Sequence, residues 1–314
     1  MRQLPQRLGD GVFAVDTLHV RREADASYLL VDGKRAAFVD TGTHRSAPNL
    51  LAALGALDID AEEVDYVLLT HIHLDHAGGA GALMAALPRA RVVVHPRGAR
   101  HLADPAKLLA ATKAVYGEEV FAAQFGDSAA IAAERIATVA DGERLAFGGR
   151  TLEFLHTPGH AVHHVCILDR DTRELFTGDT FGVSYRESDT AAGPFIFAAT
   201  TPSQFDPEQL RASVARLAAL EPRCAYLTHY GRVDAIAKLA RDLDADIEAI
   251  ARLARAAAAA VDRQQRIERE LFAHLSRRLQ AHGFAGDERA QHALLDGDMA
   301  LNAAGLDAWL RRAA

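Results

Sequence analysis

The segment Tyr66-Val67-Leu68-Leu69-Thr70 runs straight into His71-Ile72-His73-Leu74-Asp75-His76 and then Ala77-Gly78-Gly79. A short, nearly continuous apolar run is the pattern of a strand covered on both faces. Three imidazoles and a carboxylate therefore converge at one strand end. His71 and His73 alternate so as to reach one side of that end, while Asp75 and His76 fall on the turn into the next helix and can face a neighbouring point. Four polar side chains withdrawn from water are costly to satisfy without a partner of matching charge. The pattern suits two adjacent cations, and the glycines let the backbone turn tightly beside them.

Up to about His229 the chain reads as a layered α/β fold. Strands are expected at 12–15, 27–31, 36–39, 66–69, 91–94, 151–155, 162–168, 174–176 and 225–227, with Asp32-Gly33 turning the second back into the third as a hairpin. A helix is expected at 80–87. The stretch from 96 to about 138, rich in Ala, Leu and charge, reads as a helical insertion. The long irregular stretch 181–206 carries Phe181, Tyr185, Phe195, Phe197 and Phe205, and loops of that length are generally functional or disordered. Its aromatic content favours order. Asp206-Pro207-Glu208 supplies an N-cap and a proline at the first helical position, opening a helix to about Leu220. After Gly231 strand patterns stop, and Ile236, Leu239, Leu243, Ile247, Ile250 and Leu253 keep helical spacing. Breaks near Val261-Asp262, His282-Gly283 and Gly305 divide this tail into three or four helices.

Composition narrows the partners. A chain of 314 residues, 49% hydrophobic, can bury a full core and carry an appendage. The net charge of −7 has both signs interspersed, so no broad basic field exists for phosphate backbones or anionic lipid. Neither nucleic acid nor a membrane is expected as a partner. Cys166 and Cys224 sit in apolar runs as buried thiols, which fits a reducing compartment. Met1 to Arg7 leads into no apolar signal region, and no run of about 18 uncharged apolar residues occurs. A soluble cytoplasmic protein is the expectation.

The His-x-His-x-Asp-His run after a strand resembles the signature of the metallo-β-lactamase-fold superfamily. The resemblance extends over about residues 10–232. Phe38-Val39-Asp40-Thr41-Gly42 is similar to the family's early aspartate turn, Thr157-Pro158-Gly159-His160 to its third-strand ligand motif, Phe176-Thr177-Gly178-Asp179 to its bridging aspartate, and Leu227-Thr228-His229 to its last histidine. It implies an α/β fold, a four-layer αββα sandwich over 1–232 with the helical insertion at about 97–138, followed by an all-helical C-terminal extension over 233–314. His71, His73 and His160 would hold one metal, Asp75, His76 and His229 the second, and Asp179 would bridge them. Imidazole and carboxylate ligation without thiolate does not choose among zinc, iron and manganese. Two divalent ions are implied, zinc first.

The same resemblance implies a binuclear metal-dependent hydrolase whose nucleophile is a hydroxide shared by the two ions. A small ester-type substrate is expected, a thioester or acyl ester first and a lactone second. The alternatives are a diiron redox enzyme and a metal-containing signalling protein of the same fold. Asp40 would orient a ligand or the metal-bound solvent, and Asp75 could also carry a proton. Tyr185 is a candidate donor to a substrate oxygen, as a tyrosine is in lactonases of this fold, with loop packing as the competing reading. His163-His164 would present one ring to each face of the strand 162–168, in a structural or supporting role, and His95 and His156 lie at strand ends near the motifs. The basic residues after the metal motif do not form the pattern that binds glutathione in glyoxalase II enzymes. In longer thioesterase-like members, C-terminal helices cover the metal site, so the tail is expected to cap the pocket, with a homodimer contact or a stabilising appendage as alternatives.

Overall fold

The computed structural model describes residues 4–200 and 204–313, so residues 201–203 of the long loop lie outside it. The chain divides into two compact units interleaved in sequence.

The first unit, residues 4–156, 163–178 and 223–234, carries both sheets. In the first sheet β1 (Gln6–Gly9), β2 (Val12–Asp16), β3 (Ala26–Asp32) and β4 (Arg35–Val39) pair antiparallel in sequence order. From there β5 (Val64–Leu68), β6 (Arg91–Val94) and β7 (Ile136–Thr138) add in parallel. Parallel neighbours need crossover connections. These are α1 (Ala47–Ala56), then α2 (Leu74–Ala77) and α3 (Ala80–Ala86), then α4 (Pro96–Ala103), α5 (Ala106–Tyr116) and α6 (Glu118–Gln124). Phe38, Val67, Leu69, Val92 and Val94 share one buried core with Leu50 and Leu54 of α1 and Leu83 and Met84 of α3.

The second sheet comprises β8 (Arg144–Phe147), β9 (Arg150–His156), β10 (Val165–Asp169), β11 (Glu174–Gly178), β12 (Cys224–Leu227) and β13 (Gly231–Val233). All its pairings are antiparallel except β11 with β12. The two sheets pack face to face through a buried aromatic cluster, in which the Tyr28 ring lies 5.6 Å from Phe176 and 5.3 Å from Tyr226. The Tyr28 hydroxyl donates to the Leu227 carbonyl, so its polar tip is satisfied inside the core. Two mixed sheets with flanking helices form the expected α/β sandwich.

The second unit, residues 157–162, 179–222 and the chain from 235 on, is helical apart from its loops. It holds α7 (Pro207–Ala219), α8 (Ile236–Ala257), α9 (Arg263–Ala281) and α10 (Glu288–Ala313), with α8 packed against the other three. The stripe Ile236, Leu239, Leu243, Ile247 and Ile250 is buried, as its spacing predicts. Asp206 caps α7, its Oδ1 accepting the Gln209 N–H at 2.9 Å. The C-terminal extension is all-helical.

Three expectations are corrected. Gly305 does not break the tail: it lies buried inside α10, where burial of Met299, Ala303 and Leu306 outweighs the roughly 1 kcal/mol helix penalty of glycine. The α-helices of the insertion end at Gln124, and after a single 3-10 turn at Ala133–Arg135 the chain forms Ile136–Thr138, a strand too short to show a period. The strand expected over 162–168 starts only at Val165. Among the described residues no helix is long and apolar enough to cross a membrane.

Candidate metal centre

Beyond β5 the chain is pinned on both sides. The Leu69 N–H donates to the Val93 carbonyl, the Thr70 N–H to Asp40 Oδ1 at 2.8 Å, and the Thr70 carbonyl accepts from Val165 N–H at 2.7 Å. His73 is the N-cap of α2, whose single turn carries Asp75 and His76. Thr41 N–H and Oγ1–H both donate to the His76 carbonyl, at 2.7 and 2.8 Å. The turn after Asp40 lies so close that a Cβ on Gly79 would stand 2.7 Å from the Thr41 carbonyl oxygen. That contact explains the glycine after the cluster.

On the first unit, His71 Nε2 and His73 Nδ1 stand 2.9 Å apart. Asp75 Oδ2 is 3.6 Å from His76 Nε2 and 3.6 Å from His229 Nε2, and these three residues offer donor atoms all within 4.8 Å of one another. On the second unit, His160 Nε2 lies 3.3 Å from Asp179 Oδ2. An ion held tetrahedrally by nitrogen and oxygen at 2.0–2.1 Å spaces its donors about 3.3 Å apart. The observed separations straddle that value, and no thiolate is involved. The donor sets therefore fit divalent cations.

Hydrogen bonds select the tautomers. A carboxylate or carbonyl can only accept, so a ring nitrogen facing one carries the proton and the other nitrogen is left to ligate. His76 Nδ1 donates to Asp40 Oδ2 at 2.8 Å, His229 Nδ1 to the Ala24 carbonyl at 2.9 Å, and His160 Nδ1 to the Ala199 carbonyl at 3.1 Å. All three imidazoles present Nε2 as the lone-pair atom. Asp40 is buried and takes its four donors from Thr70 N–H, Thr70 Oγ1, His76 Nδ1 and Thr228 Oγ1. Its backbone has φ +56°, a conformation costing about 1–3 kcal/mol that persists because these bonds over-determine it.

Two neighbours were read from the sequence with the wrong geometry, and two were not read at all. His163 and His164 precede β10, so strand alternation does not separate them. Both are buried, the His164 ring 4.8 Å from His71 and the His163 ring 5.7 Å from His73. Adjacent histidines just after a ligand motif were the available signal. Asp25 and His19 carried none, since they lie in a polar connection between β2 and β3 that shows no motif. Asp25 is fully buried, and burial pushes its carboxyl up to about 7 while the imidazoles of His229 and His76 pull it down. Burial lowers His19 against the raising effect of Asp75.

Of the remaining candidates, the Tyr185 hydroxyl donates to Asp298 of α10, 3.2 Å from Oδ2. His95 is the N-cap of α4 and accepts from Arg97 N–H at 3.0 Å, its ring 4.3 Å from that of His156. Burial, then His156 and Arg97, lower it to about 4. Both cysteines are free and buried, and burial pushes Cys224 up to about 11, so that thiol stays protonated.

A family model described as the metallo-beta-lactamase superfamily matches residues 21–229. The hydroxyacylglutathione hydrolase of Acidiphilium cryptum is 30% identical over 223 residues, 70% of this chain and 70% of that protein. The acyl-coenzyme A thioesterase MBLAC2 of Homo sapiens is 31% identical over 184 residues, 55% of this chain and 64% of that protein. Against several relatives the match spans less than two thirds of the relative's own length. The crystal structure of the metallo-beta-lactamase family protein TTHA1429 from Thermus thermophilus superposes with a TM-score of 0.66 at 21% identity, covering 96% of this chain and 94% of that one, a likeness of fold.

Proposed function

The chain belongs to the metallo-β-lactamase superfamily, and from that membership we propose that it is a two-metal hydrolase of small acyl esters, with thioesters ahead of oxygen esters and lactones. In this reading His71, His73 and His160 would hold one ion and Asp75, His76 and His229 the other, with Asp179 as a ligand to both. Zinc comes first, with iron or manganese as alternatives. Ions held there supply a nucleophile at neutral pH by acidifying water, and they polarise a carbonyl oxygen.

The observation that carries the reading is the group Asp75, His76 and His229, with His76 locked by Asp40 into the tautomer that leaves Nε2 for a cation. Asp40 does this from a buried position where its charge also raises the basicity of the ring. Asp75 keeps a partly exposed carboxylate between two imidazoles, a place from which it can accept the proton of the attacking oxygen and pass it to solvent. A thioester expels a thiolate of pKa about 8.5, which leaves near neutral pH without a proton from the protein. Two relatives are named for reactions of this kind, hydroxyacylglutathione hydrolysis and acyl-coenzyme A thioester hydrolysis.

The test is a screen of the reconstituted protein against thioesters, lactones, phosphodiesters and β-lactams. Thioester turnover is expected to vanish on chelation, return with Zn²⁺, Fe²⁺ or Mn²⁺, and be lost in His73→Ala. Undiminished turnover by His73→Ala would sink the proposal.

A further inference from the structure

The second unit holds His160 by a device that its ligand motif does not contain. The ring's Nδ1–H is received by the carbonyl of Ala199, in the strap Ala198-Ala199-Thr200. Both flanks of Ala199 are gripped by one side chain of α10: Asn302 Nδ2 donates to the Ala198 carbonyl at 3.0 Å, and Asn302 Oδ1 accepts the Thr200 N–H at 2.7 Å. Thr200 Oγ1 donates to the Asn302 carbonyl at 3.0 Å. From α8, Asp246 Oδ2 accepts the Ala198 N–H at 2.9 Å, while its other oxygen is held by His274 Nε2 at 2.8 Å and Arg278. Arg278 also donates to the Ile196 carbonyl at 2.9 Å.

Asn302 is buried inside a helix, where asparagine is a weak helix former and its amide is costly to desolvate. Packing alone does not call for it. Its amide matches the donor and acceptor that the strap presents on either side of Ala199, and this fixes the direction of the Ala199 carbonyl. That direction in turn sets the plane and tautomer of the His160 ring. We propose that Asn302 and Asp246 are positioning residues for His160, so that the C-terminal helices tune a metal ligand through the strap 198–200. The inference rests on the reading of His160 as a ligand.

The test uses the full-length chain loaded with Zn²⁺. In chelator competition, Asn302→Asp, which turns the donor to Ala198 into an acceptor, is expected to weaken one zinc equivalent by about 10–100-fold. Asn302→Leu, similar in size and a better helix former, is expected to do the same. The visible spectrum of the Co²⁺-substituted protein shifts in both. Met299→Ala, which opens a cavity in the same helix while leaving the hydrogen-bonding groups of Asn302 and Asp246 unchanged, lowers the melting temperature and keeps the zinc affinity and the cobalt spectrum. His160→Ala loses one equivalent outright; if it retains both, the assignment of His160 as a ligand fails. If His160→Ala loses one while both Asn302 variants match Met299→Ala in affinity and spectrum, the positioning role alone is overturned.

Discussion

His76 donates its Nδ1 proton to Asp40 at 2.8 Å, with both side chains buried. Asp40→Asn removes the charge and lets the amide present a donor to Nδ1, which favours the tautomer that no longer ligates through Nε2. A loss of about 10–100-fold in metal affinity or activity is expected. Zinc titration against a chelator, followed by turnover at saturating zinc, checks it.

Tyr185→Phe separates two roles for a loop tyrosine whose hydroxyl donates to Asp298. Losing a partly exposed hydrogen bond to a carboxylate should cost about 1 kcal/mol of stability. Turnover is expected to stay close to wild type. Thermal melts and steady-state kinetics decide: a large fall in kcat at unchanged stability would put the hydroxyl on the substrate.

The low pKa of His95 gives acid sensitivity a defined window. Folded, this imidazole titrates near 4 because burial and then His156 and Arg97 oppose its charge, against 6.5 ordinarily. Between those values the unfolded chain binds a proton that the native state does not, so stability falls as pH drops from 6.5 towards 4. His95→Asn keeps an N-cap acceptor for Arg97 and removes the titration. The melting temperature of this variant should fall less steeply than that of the wild type across the window.

Gly178→Ala probes the space beside the histidine cluster. Gly178 has φ +47°, and a Cβ there would stand 2.5 Å from His164 Nε2 and 2.7 Å from Thr70 Oγ1. Overpacking of this kind typically costs about 1–3 kcal/mol. Because Thr70 also holds Asp40, lower metal content is expected together with the lower stability, measured by elemental analysis and denaturant titration.

The strands that the apolar pattern missed are β1, β7, β8 and β13, and these are the four edges of the two sheets. An edge strand is covered on fewer sides, and these are three or four residues long with partly exposed positions. Neither a continuous apolar run nor a clear alternation survives at that length. Central strands such as β5 and β10, buried along most or all of their length, were legible. Gly305 misled for the complementary reason, since a helix-weakening residue says nothing about the packing around it.

His71 to His76 are set by local spacing, because a strand end followed by one helical turn brings those side chains near one another with little help from distant chain. That much, together with the order of the four other motifs, was in the sequence. Which nitrogen each ring presents was not. The partners of Asp40 come from Thr70, His76 and Thr228, His229 is turned by Ala24, and His160 by Ala199. Each of these contacts joins residues far apart in the chain. A hydrogen bond of about 3 Å needs its donor and acceptor aligned, and only the folded backbone supplies that alignment.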